Sequence, residues 1–144
     1  MEENIIVTNV RAAVPAGFTP VYVGRTMPGR EGSVFGNPLP LAGKRWTEEA
    51  RHWSDVLARH PDARVRQVAE QALGAQGYRQ GDAAQLYRLV LREQVRWGDV
   101  QLSALMDLGE RLRRGERLAL QCWCAPKPCH ALVVRDAVLG YARR

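Results

Sequence analysis

Residues 117–130 read RLALQCWCAPKPCH, and they hold all three cysteines of the 144-residue chain. The apolar run at the start of this stretch predicts a buried strand over residues 117–123. Proline suits the first turn of a helix, so the last helix is predicted to run from Pro128 to about Tyr141. A strand, a polar loop and a helix in this order indicate an α/β fold. We call residues 122–130 the cysteine loop.

Two further strands are predicted near the N-terminus, at residues 5–10 (IIVTNV) and 21–23 (VYV). The link between them is too short for the usual parallel crossover, which takes about a dozen residues. These two strands are therefore antiparallel neighbours, or they are not paired with each other. The second and third strands are separated by helices, which makes a parallel arrangement the default.

Four helices are predicted between the second and third strands, each with a capping residue at its start and a Pro or Gly near its end. The capping residues are Thr47, Asp62, Asp82 and Asp99. Apolar stripes that include Trp97 and Met106 are predicted to face the core. The whole chain, residues 1–144, is predicted to be a single small three-layer Rossmann-like α/β domain. Its short, mostly parallel sheet would have three to four strands, and about five helices would surround it.

Composition is that of a globular domain, with 46% apolar and 25% charged residues. No apolar run approaches the roughly 18 residues that cross a membrane, and the N-terminus lacks the pattern of a signal peptide. We therefore expect a cytoplasmic protein with no membrane partner. An odd number of cysteines in such a protein indicates metal binding or reactivity rather than disulfides.

The formal net charge of +6 favours polyanionic partners, so nucleotides and nucleic acids are candidate ligands. The alternative is that this charge reflects amino-acid composition alone. Of the 21 basic residues only Lys44 and Lys127 are lysines, a skew that a GC-rich genome also produces. The arginines are spread along the predicted helices, and charged helix faces are usually just solvated.

A glycine-rich loop, residues 24–38 (GRTMPGREGSVFGNP), follows the second strand. The carboxyl ends of parallel strands share one edge of a sheet, so this loop and the cysteine loop should meet there. The residues on this edge that are predicted to bind a phosphate or nucleotide are Asn9, Gly24, Arg25, Arg30, Gly36 and Asn37. Asn9 joins them only if the first strand is parallel. The loop matches neither a Walker nor a dinucleotide motif, and a purely connecting role stays open.

The cysteine loop has three interpretations. The spacing C-x-C-x4-C-H offers Cys122, Cys124, Cys129 and His130 as ligands for Zn²⁺. Alternatively, Cys129 is a catalytic thiolate in the first turn of the last helix, assisted by His130. In the third interpretation the cysteines only pack in the core.

The ordered elements VGR, GNP and CWC.P..CH resemble an uncharacterised domain family of bacteria and bacteriophages. This resemblance implies a fold and a site between the two loops, and it implies no particular reaction. It also implies that residues 60–98 are a helical insertion. Members often carry an acid two residues after the CH pair, where this chain has Leu132.

Two functions follow as expectations. The first is a nucleotide- or nucleic-acid-directed protein that binds a phosphate-bearing ligand between the two loops, as a Zn-dependent or Cys-dependent nucleotide- or base-modifying enzyme. The alternative is a non-enzymatic basic DNA- or RNA-binding accessory module with a structural cysteine cluster. The sequence does not decide whether the chain is an enzyme.

Overall fold

The computed structural model describes the backbone of residues 1–144 and every side chain except that of Asp99. A single 3-10 turn, Glu2–Asn4, precedes the first strand. The strands are β1 (Ile5–Asn9), β2 (Thr19–Tyr22) and β3 (Leu118–Cys122). The helices are α1 (Glu48–Ala58), α2 (Ala63–Ala75), α3 (Gln80–Trp97), α4 (Asp99–Arg113) and α5 (Ala131–Ala142). The predicted α/β class, with a short parallel sheet and about five helices, is confirmed.

The sheet has the order β1-β3-β2, and both outer strands run parallel to β3. The first two strands are therefore not paired with each other, which is one of the two predicted alternatives. Their link needs no helix because the strands are short. Five residues of strand rise about 17 Å, and a loop of nine extended residues reaches about 30 Å. Pro20 lies in β2, where an edge strand tolerates the missing donor.

Strand β3 is the centre of the core, because all five of its residues are buried. Helix α5 packs against β1 and β3, and α4 and α3 pack against α5. Leu118, Leu120 and Val134 are fully buried in this region. Burying one such side chain contributes roughly 1.5–3 kcal/mol to folding, so these contacts fix α5 against the sheet.

The helix starts follow the predicted caps at two of four positions. Thr47 Oγ1 accepts from Ala50 N at 3.0 Å and Asp62 Oδ1 accepts from Arg64 N at 2.8 Å, as expected for N-caps. The predicted cap of α3 at Asp82 is wrong by three residues, since the N-cap is Arg79, which makes no side-chain cap bond, and the helix begins at Gln80. Its first N–H groups are thereby left free at the carboxyl edge of the sheet. The predicted cap of α4 at Asp99 is wrong by one residue, since its N-cap is Gly98.

The predicted start of the last helix at Pro128 is also wrong. Residues 125–129 form a turn that contains a cis Ala125–Pro126 bond, and helix α5 begins only at Ala131. Lys127 N donates to Cys124 O at 2.8 Å within this turn. Cys129 therefore lies before the N-cap residue His130 rather than in the first helical turn.

Two residues predicted to face inward are exposed: Trp97 is 77% exposed and Met106 is 55% exposed. Both lie on helix surfaces that no other element covers, so their positions on an apolar stripe do not bury them. Over the residues described here, none of the helices combines the length and the apolarity that crossing a membrane requires.

Candidate functional site

The glycine-rich loop and the cysteine loop meet at the carboxyl edge of the sheet, as predicted, and enclose a pocket of about 450 Å³. The start of α3 forms a third wall. The lining residues are Arg25, Thr26, Met27, Asn37, Leu41, Lys44, Arg45, Gln80, Ala83, Ala84, Trp123, Cys124, Pro128, Cys129 and His130. This volume lies within the usual range for small-molecule sites.

Tyr22 joins the two loops at their base. Its hydroxyl donates to the carbonyl of Arg25, and it accepts from Trp123 Nε1 at 2.8 Å. Gly24 is required beside it, because a Cβ there would lie 2.5 Å from the Tyr22 hydroxyl. Gly36 packs less tightly, on backbone, with a would-be Cβ 3.3 Å from the carbonyl oxygen of Gly24. The glycine-rich loop is thus ordered over the sheet edge.

Arg25 and Asn37 are the two predicted ligand residues of this loop that line the pocket. Arg25 Nη2 donates to Leu39 O at 2.5 Å, and burial lowers the pKa of its guanidinium. Asn37 is only 4% exposed. Its amide donates to Ala83 O at 2.9 Å and accepts from Leu39 N at 3.0 Å, so it clamps the loop onto α3.

The other predicted ligand residues support the pocket from outside it. Asn9 Nδ2 donates to Trp123 O at 3.1 Å and to Ala125 O at 3.0 Å, which ties β1 to the cysteine loop. Arg30 stacks over the Tyr22 ring, with its guanidinium carbon 4.9 Å from the ring centroid. Gly24 and Gly36 lack side chains, which lets the backbone of the glycine-rich loop pack closely on its neighbours. None of these four is a lining residue.

Sequence reasoning missed Lys44, Arg45 and Gln80. The two basic residues are exposed at the pocket rim, just before the cap of α1. Gln80 Nε2 donates to Pro128 O at 3.0 Å and so joins α3 to the cysteine loop. The sequence places Lys44 and Arg45 just before a predicted helix cap. No local pattern indicates which loops they face.

The start of α3 presents free backbone donors at this wall. Ala83 N donates to Arg79 O at 2.9 Å, which is the first bond of the helix. The N–H groups of Gln80, Gly81 and Asp82 precede it and have no intrahelical acceptor, and of these three residues Gln80 lines the pocket. The positive end of the helix dipole adds to the positive potential that Arg25, Lys44 and Arg45 create in the pocket. Among the side chains that the structure describes, none of those lining the pocket is acidic.

The three thiols of the cysteine loop interact with one another. Cys122 and Cys129 are buried, at 1% and 3% exposure, whereas Cys124 is half-buried and lines the pocket. Interaction with Cys129 lowers the pKa of Cys124 to about 6 and that of Cys122 to about 7. The same interactions and burial raise the pKa of Cys129.

The predicted position of Cys129 in the first turn of the last helix is wrong, and its role as a catalytic thiolate stays a prediction. Cys129 precedes the helix and its pKa is raised. His130 also fails to supply a positive charge beside it. Burial lowers the pKa of His130 to about 4, and the ring packs edge-on against Tyr87 at 5.1 Å.

The tautomer of His130 follows from its partner. Nε2 lies 2.6 Å from the carbonyl oxygen of Val23, which can only accept, so Nε2 carries the proton. Nδ1 is then an unprotonated acceptor, 3.7 Å from Cys129 Sγ. Among the described side chains, no group of three or more His, Cys, Asp or Glu residues is arranged to hold a metal ion.

Fold and site together define a small α/β protein with a basic, thiol-lined pocket at the carboxyl edge of a three-stranded parallel sheet. A family model described as a domain of unknown function (DUF4326) matches residues 11–140, and the chain belongs to this family. The predicted resemblance to an uncharacterised domain family is thus confirmed. No curated protein and no solved structure matches the chain.

Proposed function

We propose that the pocket binds a phosphate-bearing ligand, either a nucleotide or the end of a nucleic acid. The observation that carries this proposal is that Arg25, Lys44 and Arg45 line the same pocket as Gln80, the first residue of α3. A helix N-terminus and guanidinium groups are the usual partners of phosphate oxygens in proteins. Asp82 lies in the first turn of α3, but it is not a lining residue.

The remaining wall suits the uncharged part of such a ligand. Leu41, Ala83, Ala84, Pro128 and the half-buried Trp123 supply apolar surface. Binding sites for small molecules usually combine such a surface with a few polar groups that fix orientation. A nucleoside would pack against this wall while its phosphate faces Lys44 and Arg45.

A ligand panel tests the proposal by thermal unfolding, with inorganic phosphate, pyrophosphate, mononucleotides and short oligonucleotides. A ligand at 100 times its dissociation constant stabilises the folded state by about 2.7 kcal/mol, which raises the melting temperature by several degrees. We expect such a rise for wild type and its loss in a Lys44→Gln/Arg45→Gln variant. The matched control, Arg59→Gln/Arg64→Gln, removes the same charge from exposed positions at the C-cap of α1 and in α2, outside the pocket. No shift with any ligand would contradict the proposal.

The non-enzymatic DNA- or RNA-binding module is the second candidate. The near-complete burial of Cys122 and Cys129 favours it, because structural cysteines are typically buried. It predicts binding of oligonucleotides but not of mononucleotides. For a single strand, the logarithm of the binding constant would fall with the logarithm of the salt concentration, with a slope of about −0.7 per phosphate contacted. Tight mononucleotide binding with a shallow salt slope would exclude this candidate.

Zinc binding by Cys122, Cys124, Cys129 and His130 stays a prediction. Such a site would require the cysteine ligands to be deprotonated, so affinity would rise with pH. Elemental analysis of protein purified without a histidine tag tests it, with about one zinc per chain as the supporting result. A cytoplasmic location also stays a prediction, and the three free thiols fit a reducing compartment.

A further inference from the structure

We propose that Cys124 is a nucleophile of this pocket, placed to attack an electrophilic carbon of an anionic ligand whose negative group is held by Lys44 and Arg45. In this step the Cys124 sulfur forms a bond to the carbon. The bond from that carbon to the leaving group breaks, and the leaving group departs with the electron pair. The inference rests on the proposed anion site, because that site selects the class of electrophile.

Access separates Cys124 from its two neighbours. Cys122 is 1% exposed and does not line the pocket. Cys129 lines the pocket but is 3% exposed. Cys124 both lines the pocket and is half-buried, so it is the most accessible of the three cysteines to a ligand in the pocket.

The groups around Cys124 stabilise negative charge on its sulfur. The neighbouring Cys129, Gln80 and the positive charges of Arg25 and Lys127 lower the pKa of Cys124. Arg25 and Gln80 line the same pocket as its side chain, and none of the described lining side chains is acidic. Such an electropositive, partly exposed setting is typical of reactive cysteines, whereas buried structural cysteines are inert.

The position of Cys124 is fixed by its neighbours along the chain. The amide of Asn9 bonds to the carbonyl oxygens of Trp123 and Ala125, one on each side of the cysteine. The carbonyl of Cys124 itself accepts from Lys127 N at 2.8 Å. Asn9 is therefore a positioning residue, because it holds the backbone from which the reactive sulfur projects.

The test compares two alkylating probes, the anion iodoacetate and the neutral iodoacetamide, at one fixed pH. In both reactions a sulfur–carbon bond forms and iodide leaves. The modified cysteine is identified by mass spectrometry of partly reacted protein. Both probes attack the same sulfur, so the ratio of their rates, divided by the ratio for free glutathione, reports the charge of the pocket. We expect Cys124 to react first, with a normalised ratio of about ten, at the low end of the rate gain from a charged cleft.

Variants separate the parts of this proposal. Cys124→Ser should abolish the fast reaction with both probes. Lys44→Gln/Arg45→Gln should bring the normalised ratio close to one while the iodoacetamide rate changes little. The control Arg59→Gln/Arg64→Gln should keep the wild-type ratio. First modification at Cys122 or Cys129, a fast phase that survives in Cys124→Ser, or a wild-type ratio of one would each overturn the inference.

A further arm distinguishes failure of this inference from failure of the proposed function. Cys124→Ser retains the basic residues, so its melting temperature should still rise with the phosphate ligands. If it does while Cys124 of the wild type is slow to react, the nucleophile is overturned and the binding proposal stands. If no phosphate ligand binds either protein and the probe ratio is one, both are overturned.

Discussion

Asn9 and Asn37 each hold one of the two loops that form the pocket: Asn9 holds the cysteine loop and Asn37 holds the glycine-rich loop. Each uses its side-chain amide to hold backbone groups from an element distant in the sequence. Asn37 also accepts from Leu39 N, so both ends of its amide are occupied. Its first role is therefore to place the loop, and any contact with a ligand is made by the remaining donor and acceptor capacity of the same group.

Asn37→Ala should lower the free energy of unfolding by about 1–3 kcal/mol, because it leaves the amide of Leu39 and the carbonyl of Ala83 without this partner in a buried site. Urea denaturation measures the loss. Asn4→Ala is the control, since Asn4 is half-buried in the N-terminal turn and outside the pocket. Equal effects of the two substitutions would contradict the clamp assigned to Asn37.

His130 gives the protein a pH-dependent stability. Burial lowers its pKa to about 4 from an ordinary value near 6.5, so the unfolded state binds the extra proton first as pH falls. The stability from neutral His130 is complete above about pH 6.5 and is lost as pH falls toward 4, by at most about 3 kcal/mol. His130→Gln should flatten this slope in urea titrations between pH 4.5 and 6.5. His52→Gln, at an exposed position on α1, serves as control, and an unchanged slope in His130→Gln would contradict the assignment.

At the scale of elements, the packing of the glycine-rich loop on β2 depends on the absence of a side chain at Gly24. A methyl group there would displace the Tyr22 ring and break its bonds to Arg25 and Trp123, which join the two loops. Gly140 has the opposite setting, exposed in α5 with no atom near a would-be Cβ.

Two Gly→Ala substitutions should therefore have opposite effects on the stability of the fold. Gly24→Ala should lower the melting temperature and weaken phosphate binding, because the loops lose their link. Gly140→Ala should raise the free energy of unfolding by roughly 0.5–1 kcal/mol, since alanine is the better helix former. Thermal unfolding with and without ligand measures both. A Gly24→Ala protein with wild-type stability and binding would show that Tyr22 does not organise the site.

The elements themselves were largely predictable, and their ends were not. Apolar runs and caps give the strands and helices, because burial and local hydrogen bonding determine them. Helix α3 begins at Gln80 instead of after Asp82 because contacts with Pro128 and Asn37 hold its first turn, and these partners are remote in sequence. Helix α5 begins late because the loop before it turns through residues 125–129.

On the scale of the whole molecule, the sheet order explains why the site lies where the sequence predicted it. The carboxyl ends of three parallel strands meet at one edge, and β3 delivers the cysteine loop to the middle of that edge. The identity of the charged groups was less predictable. Lys44 and Arg45 reach the pocket through the path of the chain between β2 and α1, which no local pattern encodes. The interpretation of residues 60–98 as an insertion stays a prediction.

The most direct test of the central claim is a ¹H–¹⁵N NMR titration of the protein with pyrophosphate and with a mononucleotide. Binding in the pocket predicts the largest shifts at the amides of Gln80 and Gly81 and at the indole N–H of Trp123. The same titration of Lys44→Gln/Arg45→Gln should need a much higher ligand concentration. Shifts confined to the arginine-bearing surfaces of α1 and α2, or no shifts at saturating ligand, would contradict a phosphate site between the two loops.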